Sequence, residues 1–544
     1  MKSTGIILLS ALLYFAAFSP LSFSQKSSNG ISKINSEDLE AYVSFLASPA
    51  MNGRANGEQE LDITVNYLAS QARILNLKPA NGESYLQPYT IMEKQIDPSG
   101  SMIEIYSEGN DPVMNSEPMY QLYPTGAADF VIEGEVAFAG YGIKADKYGY
   151  NDLENISPDG KILLIMNRSP LSEDGSRYLF EEPMWESFMS IQAKIIGLMF
   201  SKARAILVVT DPKSGFTSVD QQYPGITGEL RSSKYLKGTK PVSFDLPAMP
   251  KIIYVNRSVA DELLRGTGQS LDDLQKKIDS GLKPQSFVIK DKKIRITEKS
   301  MLKETQQYNV AAWIEGSDPV LSREIVIFSG HADHIGTTGG HVNPGADDNA
   351  SGCAAILEIA QAFQSLEKKP LRSVLFLWVT GEEIGLFGSQ SYVNNPLFPL
   401  ENTIVDLNMD MIGRVKGVAD TTDDNPMTGP LEVFAITGYQ SRDLTEIAGE
   451  ADRRSEIDLN YSLSSRTHPL QLYSRSDHYN FEKKDIPAIF FSTGLHTDYH
   501  KPGDTAEKLD FEKMEKITRL IYDIGFTVAN RKNRLVVDNP FSKW

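Results

Sequence analysis

The sequence contains a single cysteine, Cys353, among 544 residues. One cysteine excludes an intrachain disulfide framework and any zinc or iron–sulfur site held by several thiolates. Basic residues are also few relative to acidic ones, with 54 Lys and Arg against 71 Asp and Glu and a formal net charge of −17. Nucleic acids and anionic membranes bind basic surfaces, so neither is expected as a partner. Any metal must be held by His, Asp and Glu side chains.

Long apolar runs are absent outside the first 24 residues, so no transmembrane helix is expected in the mature chain. Those first residues have the order of a secretory signal peptide: Lys2, an apolar stretch over 6–18, and the small-x-small site 22–24 before Gln25. The apolar stretch is too short and too interrupted for a membrane anchor. We therefore expect a protein exported to the periplasm or the medium, with no membrane partner after cleavage.

The composition, with 41% apolar and 23% charged residues, is that of a globular protein. Apolar periodicity predicts two helices within 36–77. Short β-rich runs separated by Gly, Pro and Ser predict a separate lobe over 120–290. We expect four segments: the signal peptide 1–24, the first part of the main domain over 25–119, the inserted lobe over 120–290, and the rest of the main domain over 291–544.

After about residue 300, strands and helices alternate, which predicts an α/β fold with a mixed, mostly parallel central sheet flanked by helices. Four nearly continuous apolar runs favour strands buried on both faces. These runs are 324–328, 373–379, 403–409 and 486–491.

Polar residues capable of binding metal follow each of these runs. They are His331, Asp333 and His334 after the first, Glu382 and Glu383 after the second, Asp410 after the third, and His496 and His500 after the fourth. A further segment, 345–352, carries Asp347 and Asp348 ahead of a helix. In an open α/β sheet, ligands collect beyond the carboxyl ends of the strands, so these side chains are expected to converge.

Each feature alone has a structural interpretation: an N-cap for the paired Asp, a solvated loop for Glu382-Glu383, and core packing for a histidine. Taken together they favour a site, because six of the seven histidines fall near these strand ends. The other catalytic motifs are absent, since there is no H-E-x-x-H helix, G-x-S-x-G elbow or P-loop.

Six stretches resemble the co-catalytic di-zinc exopeptidases, the group that includes secreted bacterial aminopeptidases and glutamate carboxypeptidase. They are S-G-H-A-D-H-I-G (329–336), G-A-D-D-N-A-S-G (345–352), V-T-G-E-E-I-G-L-F-G-S (379–389), N-M-D-M-I-G-R (408–414), R-S-D-H-Y (475–479) and H-T-D-Y-H-K-P-G-D-T (496–505). The lobe over 120–290 resembles the protease-associated (PA) domain that many members carry as an insertion.

The resemblance implies two Zn²⁺ per chain and a role for each matched residue. One zinc is bound by His331 and Asp410, the other by Glu383 and His500, and both by a bridging Asp348. Glu382 is the implied general base, Asp333 orients the His331 imidazole, and Tyr499 and Tyr473 are candidates to stabilise the oxyanion. The resemblance also implies a cis peptide bond between Asp348 and Asn349, and it places His478 close to the site without a firm role. We expect His334 and His341 to be structural or rim residues.

The implied function is a secreted exopeptidase, foremost an aminopeptidase, with a peptide substrate. One alternative is a glutamate-carboxypeptidase-like carboxypeptidase or dipeptidase, for which Arg414 or Arg475 could bind the substrate carboxylate. A second is a glutaminyl-cyclase-like acyltransferase, which uses one zinc. A third is a non-catalytic binding protein that has lost its ligands. The complete ligand set disfavours the last two, and the sequence indicates no particular oligomeric state.

Overall fold

The computed structural model describes residues 30–115, 120–121, 129–181, 185, 189–222, 232–239, 250–417 and 425–543. The predicted signal peptide, residues 1–24, lies outside these ranges. Within them, no helix combines the length and the apolar character required to cross a bilayer.

The strands, in chain order, are β1 (Lys78–Pro79), β2 (Leu86–Ile96), β3 (Met102–Ser107), β4 (Val113–Asn115), β5 (Tyr120–Gln121), β6 (Phe130–Phe138), β7 (Lys144–Ala145), β8 (Tyr150–Asn151), β9 (Ile162–Met166), β10 (Ala205–Val209), β11 (Ser232–Leu236), β12 (Lys251–Tyr254), β13 (Phe287–Glu298), β14 (Ser300–Ile314), β15 (Ile325–His331), β16 (Thr337–Thr338), β17 (His341–Val342), β18 (Ser373–Val379), β19 (Thr403–Met409), β20 (Glu432–Ile436), β21 (Asp458–Asn460) and β22 (Ala488–Ser492).

The α-helices are α1 (Ser36–Leu46), α2 (Gln59–Ile74), α3 (Met189–Leu198), α4 (Val219–Gln222), α5 (Arg257–Leu264), α6 (Leu271–Gly281), α7 (Gly352–Gln364), α8 (Phe387–Asn394), α9 (Arg442–Asp452), α10 (His478–Glu482) and α11 (Phe511–Asn530). The first two confirm the two helices predicted within 36–77.

The larger sheet has the order β11-β2-β14-β18-β15-β19-β22-β20-β21, with β1 paired to β14. Its centre is parallel: β15 pairs with β18 and with β19, and β19 pairs with β22. These four strands contain the four apolar runs of the sequence. The α/β fold with a mixed sheet whose central strands are parallel is therefore confirmed.

Helices cover both faces of this sheet because its central strands alternate their side chains between two cores. Val326 and Phe328 of β15 pack into the core shared with α1, α7 and α11. Ile325 and Ile327 point the other way, into the core shared with α8 and α10. This two-residue alternation determines which face of the sheet each side chain covers.

A second sheet, with the order β4-β3-β13-β6-β9-β10-β12-β5, has its own apolar cores. It runs from Met102 to Glu298, which is wider than the expected lobe of 120–290 on both sides. β11 falls within this stretch of the sequence, but it pairs antiparallel with β2 and so belongs to the larger sheet. The assignment of this lobe as a PA domain stays a prediction.

Candidate metal centre

Three neighbouring parallel strands end at one edge of the larger sheet. β15 ends at His331, β18 leads through Thr380 and Gly381 into Glu382, and β19 is followed directly by Asp410. Because parallel strands share the direction of their carboxyl ends, these side chains emerge close together.

The first half of the cluster is centred on the His331 imidazole. Its Nε2 lies 3.2 Å from Asp410 Oδ1 and 3.3 Å from Asp348 Oδ1. Glu382 Oε2 is further away, at 4.0 Å from the same nitrogen. His331, Asp348 and Asp410 are all buried, so three donors converge with one carboxylate alongside.

The second half is centred on Glu383. Its Oε2 lies 3.0 Å from His500 Nε2, and its Oε1 lies 2.7 Å from His334 Nδ1. Asp348 Oδ2 completes the group, at 3.1 Å from His500 Nε2 and 3.6 Å from His334 Nδ1. The two oxygens of Asp348 thus face the two halves separately, which is the arrangement of a bridging carboxylate.

The backbone holds Asp348 in this position and turns its neighbour away. The Asp348 N–H donates to Asp504 Oδ2 at 3.1 Å. Asp347 instead accepts a hydrogen bond from the Gly413 N–H at 2.6 Å, and its other oxygen lies 3.5 Å from His496 Nε2. The Asp348–Asn349 peptide bond is cis, as expected.

Asp333 was expected to orient the His331 imidazole, but its carboxylate mainly contacts other groups. Its carboxylate lies 3.8 Å from His331 Nδ1, whereas its backbone carbonyl lies 3.1 Å from that nitrogen. The carboxylate accepts hydrogen bonds from the N–H groups of Glu382 and Glu383, each at 3.2 Å, and from Asn56 Nδ2 at 2.6 Å. Asp333 therefore fixes the Glu382-Glu383 turn with its side chain and the imidazole with its main chain.

Two residues of the site were not identified from the sequence. His334, expected as a structural or rim residue, instead lies in the second half of the cluster. Ser476 was not considered, yet its Oγ donates to Asp410 Oδ2 at 2.8 Å and accepts from Asn408 Nδ2 at 2.7 Å. The only sequence signal for Ser476 was its position inside the R-S-D-H-Y stretch.

The structure separates the two candidate tyrosines. Tyr499 lines a pocket beside Asp348, Glu382 and Asp410, and its ring stacks on His500 with centroids 3.9 Å apart. Tyr473 is not brought to the cluster.

The Tyr473 hydroxyl donates to the buried Glu482 carboxylate and accepts a hydrogen bond from Arg466 Nη2 at 2.9 Å. It is thus engaged on both sides within the protein core.

The remaining candidates lie apart from the cluster. His478 packs against Phe490, with ring centroids 5.0 Å apart, and burial lowers its pKa to about 3, so it is a neutral core residue. His341 is exposed in the β16–β17 hairpin. Arg414 pairs with Asp498 at 2.7 Å and with Asp504 at 3.5 Å, which occupies its guanidinium.

The charges of the cluster suit bound cations. Five buried or nearly buried carboxylates, those of Asp333, Asp348, Glu382, Glu383 and Asp410, lie among three imidazoles. Burial, followed by the charges of Glu383 and Asp410, raises the pKa of Glu382 well above its ordinary value, despite the opposing effect of His331.

Burial alone would lower the pKa of His500, but its contacts with Asp348 and Glu383 raise it to about 10. Concentrating so many carboxylates away from water is costly unless cations compensate them. Nitrogen and oxygen donors of this kind fit zinc, and two groups of three and four residues have donor atoms within 4.8 Å of one another.

An apolar pocket adjoins the first half of the cluster. Asp348, Glu382 and Asp410 lie at one end, and Arg475 and Tyr499 lie at its rim. The walls are formed by apolar side chains from β20, β22 and loops outside these strands, namely Met411, Phe434, Ile436, Leu463, Leu472, Phe490 and Leu495.

Comparison with known proteins gives a match to peptidase family M28 over residues 309–525. A probable leucine aminopeptidase of Arthroderma otae is 30% identical over 220 residues, covering 39% of this chain and 56% of that protein. The leupeptin-inactivating enzyme 1 of Streptomyces exfoliatus is 32% identical over 204 residues, covering 37% of this chain and 39% of that protein. The chain thus spans roughly half the length, or less, of these relatives.

The fold matches over a much longer range. The aminopeptidase from Aneurinibacillus sp. strain AM-1 aligns with 94% of this chain and 98% of its own, with a TM-score of 0.50 and 18% sequence identity. At that identity the likeness concerns the fold.

Proposed function

We propose that the protein is a zinc-dependent aminopeptidase acting on peptides, a proposal supported by the match of residues 309–525 to peptidase family M28. The observation that carries the proposal is the position of Asp348, whose two oxygens lie 3.3 Å from His331 Nε2 and 3.1 Å from His500 Nε2. In this proposal two zinc ions bind per chain, one to His331 and Asp410 and one to Glu383 and His500, with Asp348 shared. Zinc held by these residues would polarise a carbonyl and make a bound water more acidic.

Glu382 is the proposed general base. The Glu382 carboxylate lies 4.0 Å from His331 Nε2, which is beyond hydrogen-bond distance. The raised pKa of Glu382 favours accepting and then releasing a proton. The Asp333 carboxylate accepts a hydrogen bond from the backbone N–H of Glu382, so the main chain that carries the Glu382 side chain is held in place. Glu382 would take the proton of the attacking water and pass it to the leaving amine.

Tyr499 is the proposed donor to the developing oxyanion. Its ring is fixed by stacking on His500, and Arg475 Nη2 donates to its hydroxyl oxygen at 3.1 Å. The hydroxyl proton therefore remains free to donate towards the pocket. Donors fixed in place before the reaction are worth more than mobile ones.

The apolar pocket supports a preference for a large apolar residue at the substrate's amino end. The terminal amine would lie near the Glu382 and Asp410 carboxylates, while the side chain enters the space lined by Phe434, Leu463 and Leu472. An extra methylene group in such a pocket is worth roughly 10–200-fold in specificity.

A carboxypeptidase or dipeptidase is the second candidate, and Arg475 is the observation that favours it. This arginine is exposed at the rim of the pocket, where a substrate carboxylate could reach it. Arg414 is a weaker candidate for that role because Asp498 and Asp504 already engage it.

The test combines metal analysis with a substrate panel. We expect close to two zinc ions per chain, hydrolysis of leucyl and phenylalanyl anilides well above glycyl anilide, and no cleavage of the acetylated compounds. The Glu382→Gln variant, prepared in parallel, is the control, because it lacks the proposed base and its remaining hydrolysis measures contaminating peptidases. Release of C-terminal residues from N-blocked peptides would establish the carboxypeptidase instead, and one zinc with cyclisation of N-terminal glutamine would establish the cyclase.

The proposal includes export and a role for the inserted lobe. The order of residues 1–24 supports secretion to the periplasm or the medium. The lobe built on β3–β10, β12 and β13, proposed as a PA domain, would restrict the cleft to chain ends.

A further inference from the structure

His334 lies within the second half of the cluster and has no role in the function proposed above. Its side chain is buried, with 1% of its surface exposed. The ring lies directly against Gly345, where even an added methyl carbon would come within 2.6 Å of it. Its backbone N–H donates to the Arg54 carbonyl at 3.1 Å. Ring and backbone are thus both held in place.

The His334 Nδ1 atom lies between two carboxylates. This nitrogen is 2.7 Å from Glu383 Oε1 and also 3.6 Å from Asp348 Oδ2. A neutral imidazole has one N–H, so Nδ1 donates to one carboxylate at most. Its other nitrogen, Nε2, is buried and has no hydrogen-bond partner among the residues that the structure describes.

The distances match those between ligand atoms of one ion. A tetrahedral zinc with bonds of about 2.0–2.1 Å has donors about 3.3–3.4 Å apart. The separations among His334 Nδ1, Asp348 Oδ2, the Glu383 oxygens and His500 Nε2 range from 2.7 to 3.6 Å and so lie on both sides of that value.

We propose that His334 is a fourth protein ligand of the metal held by Asp348, Glu383 and His500. The inference rests on the proposed metal centre and makes its two halves unequal. The second half then has four protein donors, the number found in structural zinc sites. The first half has three donors, His331, Asp348 and Asp410, with the Glu382 carboxylate alongside, and three protein ligands are the number found in catalytic zinc sites.

The test titrates the metal-free full-length protein with Co²⁺ and records the visible absorption bands, the stoichiometry and the affinity against a competing chelator. His334→Ala removes the imidazole, whereas His334→Asn keeps an amide donor near the Nδ1 position. His341→Asn, in the exposed β16–β17 hairpin, is the matched control. We expect both His334 variants to lose at least about tenfold in affinity for one ion and to change its absorption band, while His341→Asn behaves as wild type.

The outcomes separate this inference from the proposed function. Wild-type affinity and an unchanged band in His334→Asn would overturn the inference and assign His334 a hydrogen-bonding role. Weaker binding with an unchanged band would overturn it as well. A wild-type protein that binds no Co²⁺ would overturn the proposed function instead.

A second measurement uses only the wild-type protein, so it tests the inference even if the variants do not fold. Proton NMR of the wild-type Co²⁺ protein should show strongly shifted imidazole N–H signals from three histidines, His331, His334 and His500. Signals from only two would overturn the inference.

Discussion

Arg475 Nη2 donates to the hydroxyl oxygen of Tyr499 at 3.1 Å, at the rim of the pocket beside the carboxylate cluster. Burial, followed by the charges of Asp348 and Glu383, raises the pKa of Tyr499, so its phenol stays protonated. A phenol that accepts from a guanidinium and keeps its own proton is a preoriented donor.

Removing that donor should slow the reaction more than it weakens binding. For Tyr499→Phe we expect kcat to fall about 10²–10³-fold with little change in KM, as when one oxyanion donor is lost. Steady-state kinetics on leucyl anilide checks this. A wild-type kcat would show that Tyr499 does not contact the oxyanion.

Tyr473→Phe distinguishes the second candidate. This change leaves the buried Glu482 carboxylate without the hydroxyl donor. We expect a loss of about 1–3 kcal/mol in the free energy of unfolding, measured in urea, with kcat nearly unchanged. A large fall in kcat at wild-type stability would return Tyr473 to the catalytic site.

Substitutions of the adjacent residues Glu382 and Glu383 should have different effects on kcat and on metal binding. Glu382→Gln should retain both metals and lose about 10²–10⁴-fold in kcat, because it removes the proton carrier. Glu383→Gln should lose metal, because its two oxygens contact His334 and His500. Metal analysis beside kinetics checks both, and a Glu382→Gln enzyme of near-normal rate would refute the assigned base.

The central sheet and most of the site could be predicted because their signals are local. Four continuous apolar runs mark β15, β18, β19 and β22, and a residue directly after a parallel strand must lie at the sheet's carboxyl edge. Asp348 and His500 lie outside strands, and their roles came from the resemblance.

The rest depends on side-chain directions and long-range pairing, which residue spacing does not determine. His334 and His331 are three residues apart, yet they face different halves of the cluster. β13 extends the smaller sheet beyond the expected lobe. The sequence did not indicate this, because polar residues and a register shift after Val288 separate the buried Ile289 from Ile294 and Ile296. The pairing of β11 with β2 joins segments more than 130 residues apart.

Ser476 should increase the affinity for the metal held by His331 and Asp410. Its hydroxyl is the donor that orients Asp410 Oδ2, and losing such an outer partner typically costs 10–100-fold in metal affinity. We expect Ser476→Ala to bind one zinc more weakly by about that factor in a chelator competition. Ser474→Ala, two residues away, should bind zinc as wild type does, because the Ser474 hydroxyl donates to the Gln471 backbone carbonyl. Equal affinities in the two variants would remove Ser476 from the site.

The last prediction concerns pH and stability at Glu358, on α7 and remote from the cluster. This buried carboxylate accepts from the Asn35 N–H at 2.9 Å and faces Asp38 and Tyr42 of α1 and Glu515 of α11. Burial, followed by the charges of Asp38 and Glu515, raises its pKa from 4.5 to about 7. The folded state therefore favours the protonated form.

The sign of the effect follows from linkage. A carboxyl group with a raised pKa in the folded state contributes its full stability below about pH 4.5 and loses it as the pH rises through about 7. Glu358→Gln keeps an acceptor for Asn35 and has no charge to lose. We expect the variant to gain on the order of 1–3 kcal/mol in unfolding free energy relative to wild type between pH 5 and pH 8. Urea denaturation at the two pH values, with the exposed Glu367→Gln as control, measures this gain, and a difference independent of pH would contradict the assignment.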